Sequence, residues 1–183
     1  IINRLFNIGD GFFVNNIYIM FKRTHTCGEL DKSNVGEEVQ LNGWINTVRL
    51  HGKIVFVDLR DRYGKTQLIF DEKKFPTQFE KIKKFSVEDV ISIKGTVEHR
   101  SGSSINPSMK TGEIEVSTTN YNMLNQSEPL PFVLSDRNSA EEHFRLKYRY
   151  LELRIDESQN NMIIRHDTYQ ATRKFLSNNN FLE

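Results

Sequence analysis

Cysteine is nearly absent from this sequence. Cys27 is the only one in 183 residues, which excludes a disulfide framework and any cysteine-based zinc site. A single thiol suits a reducing compartment, and the expected location is cytoplasmic. Long apolar runs are missing too. No stretch approaches the roughly 18 consecutive apolar residues of a spanning helix, so no membrane association is expected. Neither sign of charge dominates, with 25 Lys and Arg against 24 Asp and Glu. A net charge of +1 gives no global attraction to nucleic acid, so any such binding must come from local placement. Catalytic signatures are also lacking: there is no GxSxG, no HExxH and no P-loop lysine motif. His25, His51, His99, His143 and His166 never pair at ligand spacing, and no metal site is expected. Asp58 and Asp61 interleave with Arg60 and Arg62, which favours structural ion pairs over acid–base work. Residues 1–183 present no catalytic constellation.

What is present divides the chain into four parts. Residues 1–19 are rich in Asn and Phe but lack a basic start and a small-residue cleavage site, so no secretory signal is expected there. They read as an upstream extension, with Met20 as a natural start. From Glu38 to about Leu124 the period is two. Strands are predicted at 39–45, 53–60, 65–70, 90–97 and 113–118, with Gly95 marking a bulge or barrel bend. Between the third and fourth, Phe75, Phe79, Ile82 and Phe85 recur at helical spacing, with Pro76 suited to the first turn. Residues 125–138 hold Pro129 and Pro131 in a polar setting and read as a linker. Ser139-Ala-Glu-Glu142 then spells a capping box ahead of a helix carrying Phe144, Tyr148 and Leu151. A second helix is expected from about Asp156 to Ser177, with Met162, Ile163, Tyr169, Phe175 and Leu176 as its buried stripe.

Five short strands with a helix between the third and fourth match the all-β OB-fold, a five-stranded Greek-key barrel whose second and third strands face oligonucleotides. An SH3-like barrel shares the strand count but usually lacks that helix. In the second strand Val55, Val57 and Leu59 take one face, leaving Ile54, Phe56, Asp58 and Arg60 on the other. An outward Phe56 is a stacking platform for an unpaired base, or else an isolated aromatic covered elsewhere. Gln67 can read a base edge or simply meet solvent. Arg49 can contact a phosphate or stack, and Lys53 and Arg60 are further candidate phosphate contacts.

Six blocks occur in order: RTHTCGEL at 23–30, Val35-Gly36, LNGWI at 41–45, FVDLRDRYG at 56–64, TGEIEV at 111–116 and LKYRYLELR at 146–154. Together they resemble the bacterial-type aspartyl-tRNA synthetases, a class II family. The resemblance runs from about residue 20 to Glu183 and implies an anticodon-binding barrel at 20–124. A linker follows at 125–138, then a helical hinge and the first helices of an α+β catalytic domain at 139–183. It also implies a homodimeric parent enzyme that activates L-aspartate with ATP and Mg²⁺ and esterifies it to tRNA-Asp. The ATP-binding motifs of such an enzyme lie beyond Glu183, so these residues are expected to bind tRNA without catalysing and to hold no cofactor. Carried over by position, Phe56 resembles the residue that stacks on the middle anticodon base. Arg49 and Gln67 resemble partners of the anticodon bases, and Glu115 a reader of the first. Two departures stand out. Only Arg49 remains where two or three basic residues usually follow the Trp strand, and Ser103-Ser104 replaces an Asn or a charged residue. His51 and Ser103 are candidate discrimination positions, His51 being associated in the family with charging of tRNA-Asn as well. A stand-alone single-strand-binding module and a protein-binding adaptor barrel are the competing readings, since fold does not fix function.

Overall fold

The computed structural model describes residues 22–134, 136 and 139–183. The expectations for residues 1–19, for a start at Met20 and for part of the linker fall outside the described residues. Five strands close a barrel: β1 (Glu38–His51), β2 (Ile54–Arg60), β3 (Lys65–Asp71), β4 (Val90–His99) and β5 (Ile114–Asn125). Around the barrel the order is β1-β2-β3-β5-β4, with β4 returning to β1. The β3–β5 pair is parallel and every other pair antiparallel. This is the expected OB topology. Alternation decides the inside, where Val39, Leu41, Ile45, Val55, Val57, Leu59, Leu68, Phe70, Ile91, Ile93, Ile114 and Val116 are buried together. The rings of Phe70, Phe75, Phe85 and Tyr121 pack with centroids 5.3 to 5.9 Å apart.

Besides a shift between Val90 and Ile91 at the start of β4, the register breaks twice. One break, between Lys94 and Gly95 in the β4–β5 pair, coincides with the glycine expected to mark a bend. The other lies in β1, where Ile45 pairs with Leu59 but Thr47 pairs with Asp58, leaving Asn46 as the extra residue of a bulge. The bulge reverses side-chain parity. Before it the odd residues Val39, Leu41 and Ile45 face the core; after it Val48 does, opposite Val57.

Between β3 and β4 the helix is shorter than the spacing predicts. Helix α1 (Phe79–Ile82) is capped at Gln78, so Pro76 lies in the turn before it rather than in its first turn. Its apolar face behaves as expected, since Phe75, Phe79, Ile82 and Phe85 all reach the core.

The chain divides into two compact units after Glu128. In the second, α2 (Glu142–Lys147), α3 (Arg149–Glu152) and α4 (Asp156–Asn178) follow one another. Phe132, Leu151 and Ile155 form a small core with Phe144 and Tyr148 against it. Glu152 is buried and accepts from Arg145 at 2.9 Å and from Arg149. The capping box does not form. Helix α2 starts at Glu142 behind Glu141, and Ser139 instead donates its hydroxyl to the carbonyls of Asp136 at 2.7 Å and Val133 at 3.1 Å. That hydroxyl closes the preceding turn, and Glu141 at the N-cap position makes no side-chain capping bond. Nor is the α4 stripe buried: Met162, Ile163, Tyr169, Phe175 and Leu176 are all exposed, and Ser158 is the helix's one buried residue among those described. Among the described residues no helix is long and apolar enough to cross a membrane.

Candidate nucleic-acid interface

The bulge at Asn46 builds the outer face of β1. By reversing parity it turns Thr47, Arg49 and His51 outward, beside the outward residues of β2. In register, Arg49 faces Phe56 and Thr47 faces Asp58. On the other side of β2, Phe56 faces Ile69 and Asp58 faces Gln67. The parallel pairing of Leu68 with Val116 then brings Glu115 of β5 beside Gln67. Four strands thus deliver polar side chains to one patch around the partly exposed ring of Phe56.

These side chains are joined to one another. Asp58 accepts the Thr47 hydroxyl at 2.5 Å and Arg49 Nη2 at 2.9 Å. The same Nη2 reaches Gln67 Oε1 at 3.1 Å, and Gln67 Nε2 donates to Glu115 Oε2 at 2.8 Å. An amide can make both bonds because it has a donor end and an acceptor end, and the bonds fix which end points where. Arg100 completes the chain, its Nε 3.8 Å from Glu115 Oε2 and its Nη1 3.3 Å from the Ser104 carbonyl. Its Nε and Nη2 are buried and make no hydrogen bond among the described residues.

Burial shifts the two end groups in opposite directions. Desolvation raises the Glu115 carboxyl, against the opposing pull of the Gln67 hydrogen bond and the Arg100 charge. Desolvation also lowers Arg100, and Glu115 and Asp58 counter it.

The four residues the sequence singled out as base contacts, Arg49, Phe56, Gln67 and Glu115, fall together on this patch. The secondary candidates separate from it in different ways. Arg60 was an expected phosphate contact on the outer face of β2, but it is buried in an ion pair with Glu88 and lies beneath Trp44, 5.6 Å from the ring. The chain at 86–89 folds over the barrel there, its Glu88 N–H bonded to the Ile45 carbonyl, so an outward residue is not an exposed one. Lys53 is exposed and paired with Glu72 at 3.1 Å. His51 is exposed at the end of β1, and Ser103 is exposed in the 3-10 turn Gly102–Ser104 that follows Arg100. Asp58 and Asp61 do form ion pairs, but with Arg49 and Arg23 rather than with Arg60 and Arg62. Thr47 and Arg100 were not legible as site residues. The step from Ile45 to Val48 in the apolar pattern carried the signal for Thr47. Nothing in the His99-Arg100-Ser101 run distinguished Arg100 from a surface charge.

Comparison with known proteins follows the same division. Residues 39–124 match the family model of the OB-fold nucleic acid binding domain, and residues 141–183 match that of the class II tRNA synthetases (D, K and N). Over 164 residues the chain is 43 % identical to an aspartate–tRNA(Asp/Asn) ligase of Persephonella marina, covering 89 % of this chain and 27 % of that protein. The protein of the same name from Caldanaerobacter subterraneus subsp. tengcongensis is 45 % identical over 162 residues, covering 88 % of this chain and 27 % of its own length. The chain therefore spans little more than a quarter of these relatives. Among solved structures, aspartyl-tRNA synthetase from Entamoeba histolytica aligns with a TM-score of 0.80 at 18 % identity, over 91 % of this chain and 39 % of that one, a likeness of fold.

Proposed function

We propose that this chain, which matches the N-terminal part of the aspartate–tRNA ligases, reads the anticodon loop of tRNA-Asp with its barrel. Phe56 stacks on the middle anticodon base, Arg49 and Gln67 contact base edges, and Glu115 reads the first base. Arg100 joins them as an additional donor. One observation carries this reading: a partly exposed aromatic on the outer face of β2 is ringed by polar side chains already bonded to one another. That chain ends at a buried guanidinium whose Nε and Nη2 make no hydrogen bond among the described residues. Such a surface supplies stacking and edge recognition together, which a sequence-indifferent single-strand binder does not need.

For the whole protein the reading is an enzyme that activates L-aspartate with ATP and Mg²⁺, transfers it to tRNA and works as a homodimer. Among the described residues no cluster of His, Cys, Asp or Glu fits a metal ion. The test is binding of the chain to a tRNA-Asp anticodon stem-loop at fixed salt, since affinity for RNA depends steeply on ionic strength. Changing the middle base, and separately Phe56→Ala, should each weaken binding by about 1–3 kcal/mol. Equal binding to both loops overturns the assignment.

A second reading extends the substrate. The two named relatives carry tRNA(Asp/Asn) in their names, and His51 stands exposed at the end of β1. The whole enzyme then charges tRNA-Asn as well as tRNA-Asp. A kcat/KM ratio above roughly a thousandfold in favour of tRNA-Asp would overturn this.

A further inference from the structure

We propose that Asp58 is a positioning residue for RNA recognition: it touches no RNA and acts by fixing the guanidinium of Arg49, an inference that rests on the anticodon-loop reading. Asp58 is buried, yet both of its carboxylate oxygens are committed to residues that the Asn46 bulge turned outward. Oδ2 takes the Thr47 hydroxyl and Oδ1 takes Arg49 Nη2. Thr47 sits directly across the β1–β2 ladder from Asp58, so its hydroxyl locks the carboxylate plane before Arg49 is added.

The geometry at Arg49 is that of a group held from one side. Nη2 alone serves both Asp58 and Gln67, so a single corner of the fork is tied down. Its Nε and Nη1 make no hydrogen bond among the described residues, and about half of the side chain, 53 %, remains exposed. An arginine on a solvated strand samples many rotamers, and fixing one in advance removes an ordering cost from binding. Asp58 can do this because it is itself immobile.

A carboxylate beside an RNA-binding patch is otherwise unfavourable, since it repels phosphate. The two possible roles of Asp58 therefore predict opposite signs. Acting only through its charge, Asp58 weakens binding, and Asp58→Asn would tighten it. Acting through Arg49, Asp58 strengthens binding, and Asp58→Asn weakens it.

The experiment is a double-mutant cycle on the full 183-residue chain with the tRNA-Asp anticodon stem-loop at fixed salt. It compares Asp58→Asn, Arg49→Ala and the double variant, with thermal unfolding of each. Asp58→Asn should lower affinity about three- to tenfold, the range expected from freeing one ordered side chain. In the Arg49→Ala background the same change should have no weakening effect. Thr47→Val, which removes one of the two locks and no charge, should give a smaller loss that also vanishes without Arg49. It keeps the test alive if Asp58→Asn fails to fold. Tighter or unchanged binding by Asp58→Asn overturns the proposal. So does an equal loss with and without Arg49, the mark of a merely structural residue. If Arg49→Ala leaves binding unchanged while Phe56→Ala weakens it, the positioning role falls and the anticodon reading survives. If neither matters, both fall.

Discussion

Arg100 and Glu115 form an ion pair without a hydrogen bond, Nε to Oε2 at 3.8 Å, at the buried end of the patch. Register explains the gap. Glu98 of β4 is the residue directly opposite Glu115, and Arg100, just past the end of β4, reaches back toward the same carboxylate. On balance the carboxyl is raised: burial first, and then the charge of the facing Glu98, outweigh the Gln67 hydrogen bond and the Arg100 charge that lower it.

The sign of its contribution to stability follows. A carboxyl raised in the folded state holds its proton more readily there than in the unfolded chain. Ionised Glu115 therefore costs stability near neutral pH, and the relief is complete below the unfolded value. Stability should fall as pH rises from the ordinary Glu range through the raised native value. Glu115→Gln, which keeps the shape and an acceptor for Gln67, should remove that segment of the curve. Urea unfolding of both proteins at stepped pH measures it, and parallel curves would contradict it. In RNA binding the same variant should lose first-base discrimination, because an amide oxygen accepts less strongly than a carboxylate.

The strap before β1 offers a second, independent test. Cys27 is fully buried, its N–H bonded to Asp61 Oδ2 at 2.9 Å and its carbonyl accepting the Thr66 hydroxyl at 2.6 Å. Burial first, and then the Asp61 charge, push its thiol far above the usual range. Next to it, a Cβ on Gly28 would lie 2.1 Å from the Tyr63 carbonyl oxygen, a backbone atom that cannot swing away. Native Cys27 should resist a thiol reagent until the strap opens, since only the thiolate reacts. Gly28→Ala should destabilise the strap by about 1–3 kcal/mol, the usual cost of overpacking. That corresponds to roughly a five- to 150-fold rise in labelling rate. An unchanged rate would show that the strap is not closed in solution.

The barrel was legible because strand alternation is a strong physical signal: an apolar side chain on the wrong face must meet water. Even the bulge left a trace, since Ile45 and Val48 break the even spacing that Val39, Leu41 and Ile45 had set. Phe56 and Gln67 share this face by strand parity, Arg49 joins them through the Asn46 bulge, and Glu115 was named only through the family resemblance. What pattern could not give was cover. Arg60 shares parity with Phe56, but the segment around Glu88 lies over it, and no local rule says where a loop will settle. Arg100 was hidden for a related reason: it lies past the end of β4, and the carboxylate it pairs with belongs to β5. The capping box failed because the helix starts later than Ser139, at Glu142 behind Glu141.

Helix α4 gives the last prediction. Its 23 residues bury only Ser158, so nothing among the described residues covers the rest. Met162, Tyr169 and Leu176 recur at heptad spacing along one side, while Ile164 and Phe175 lie on the opposite side. All five are exposed. Isolated helices of this length are marginal in water, and most helical stability comes from packing an apolar face. The amides of α4 should therefore exchange with solvent much faster than those of β2 in a dilute, monomeric sample. Exposed apolar area on two sides also favours self-association, so protection in α4 should rise with protein concentration as light scattering reports a larger particle. Leu176→Lys should weaken that rise without touching the barrel. Full protection of α4 in a sample shown to be monomeric would refute the account, because some surface of the same chain would then have to cover it.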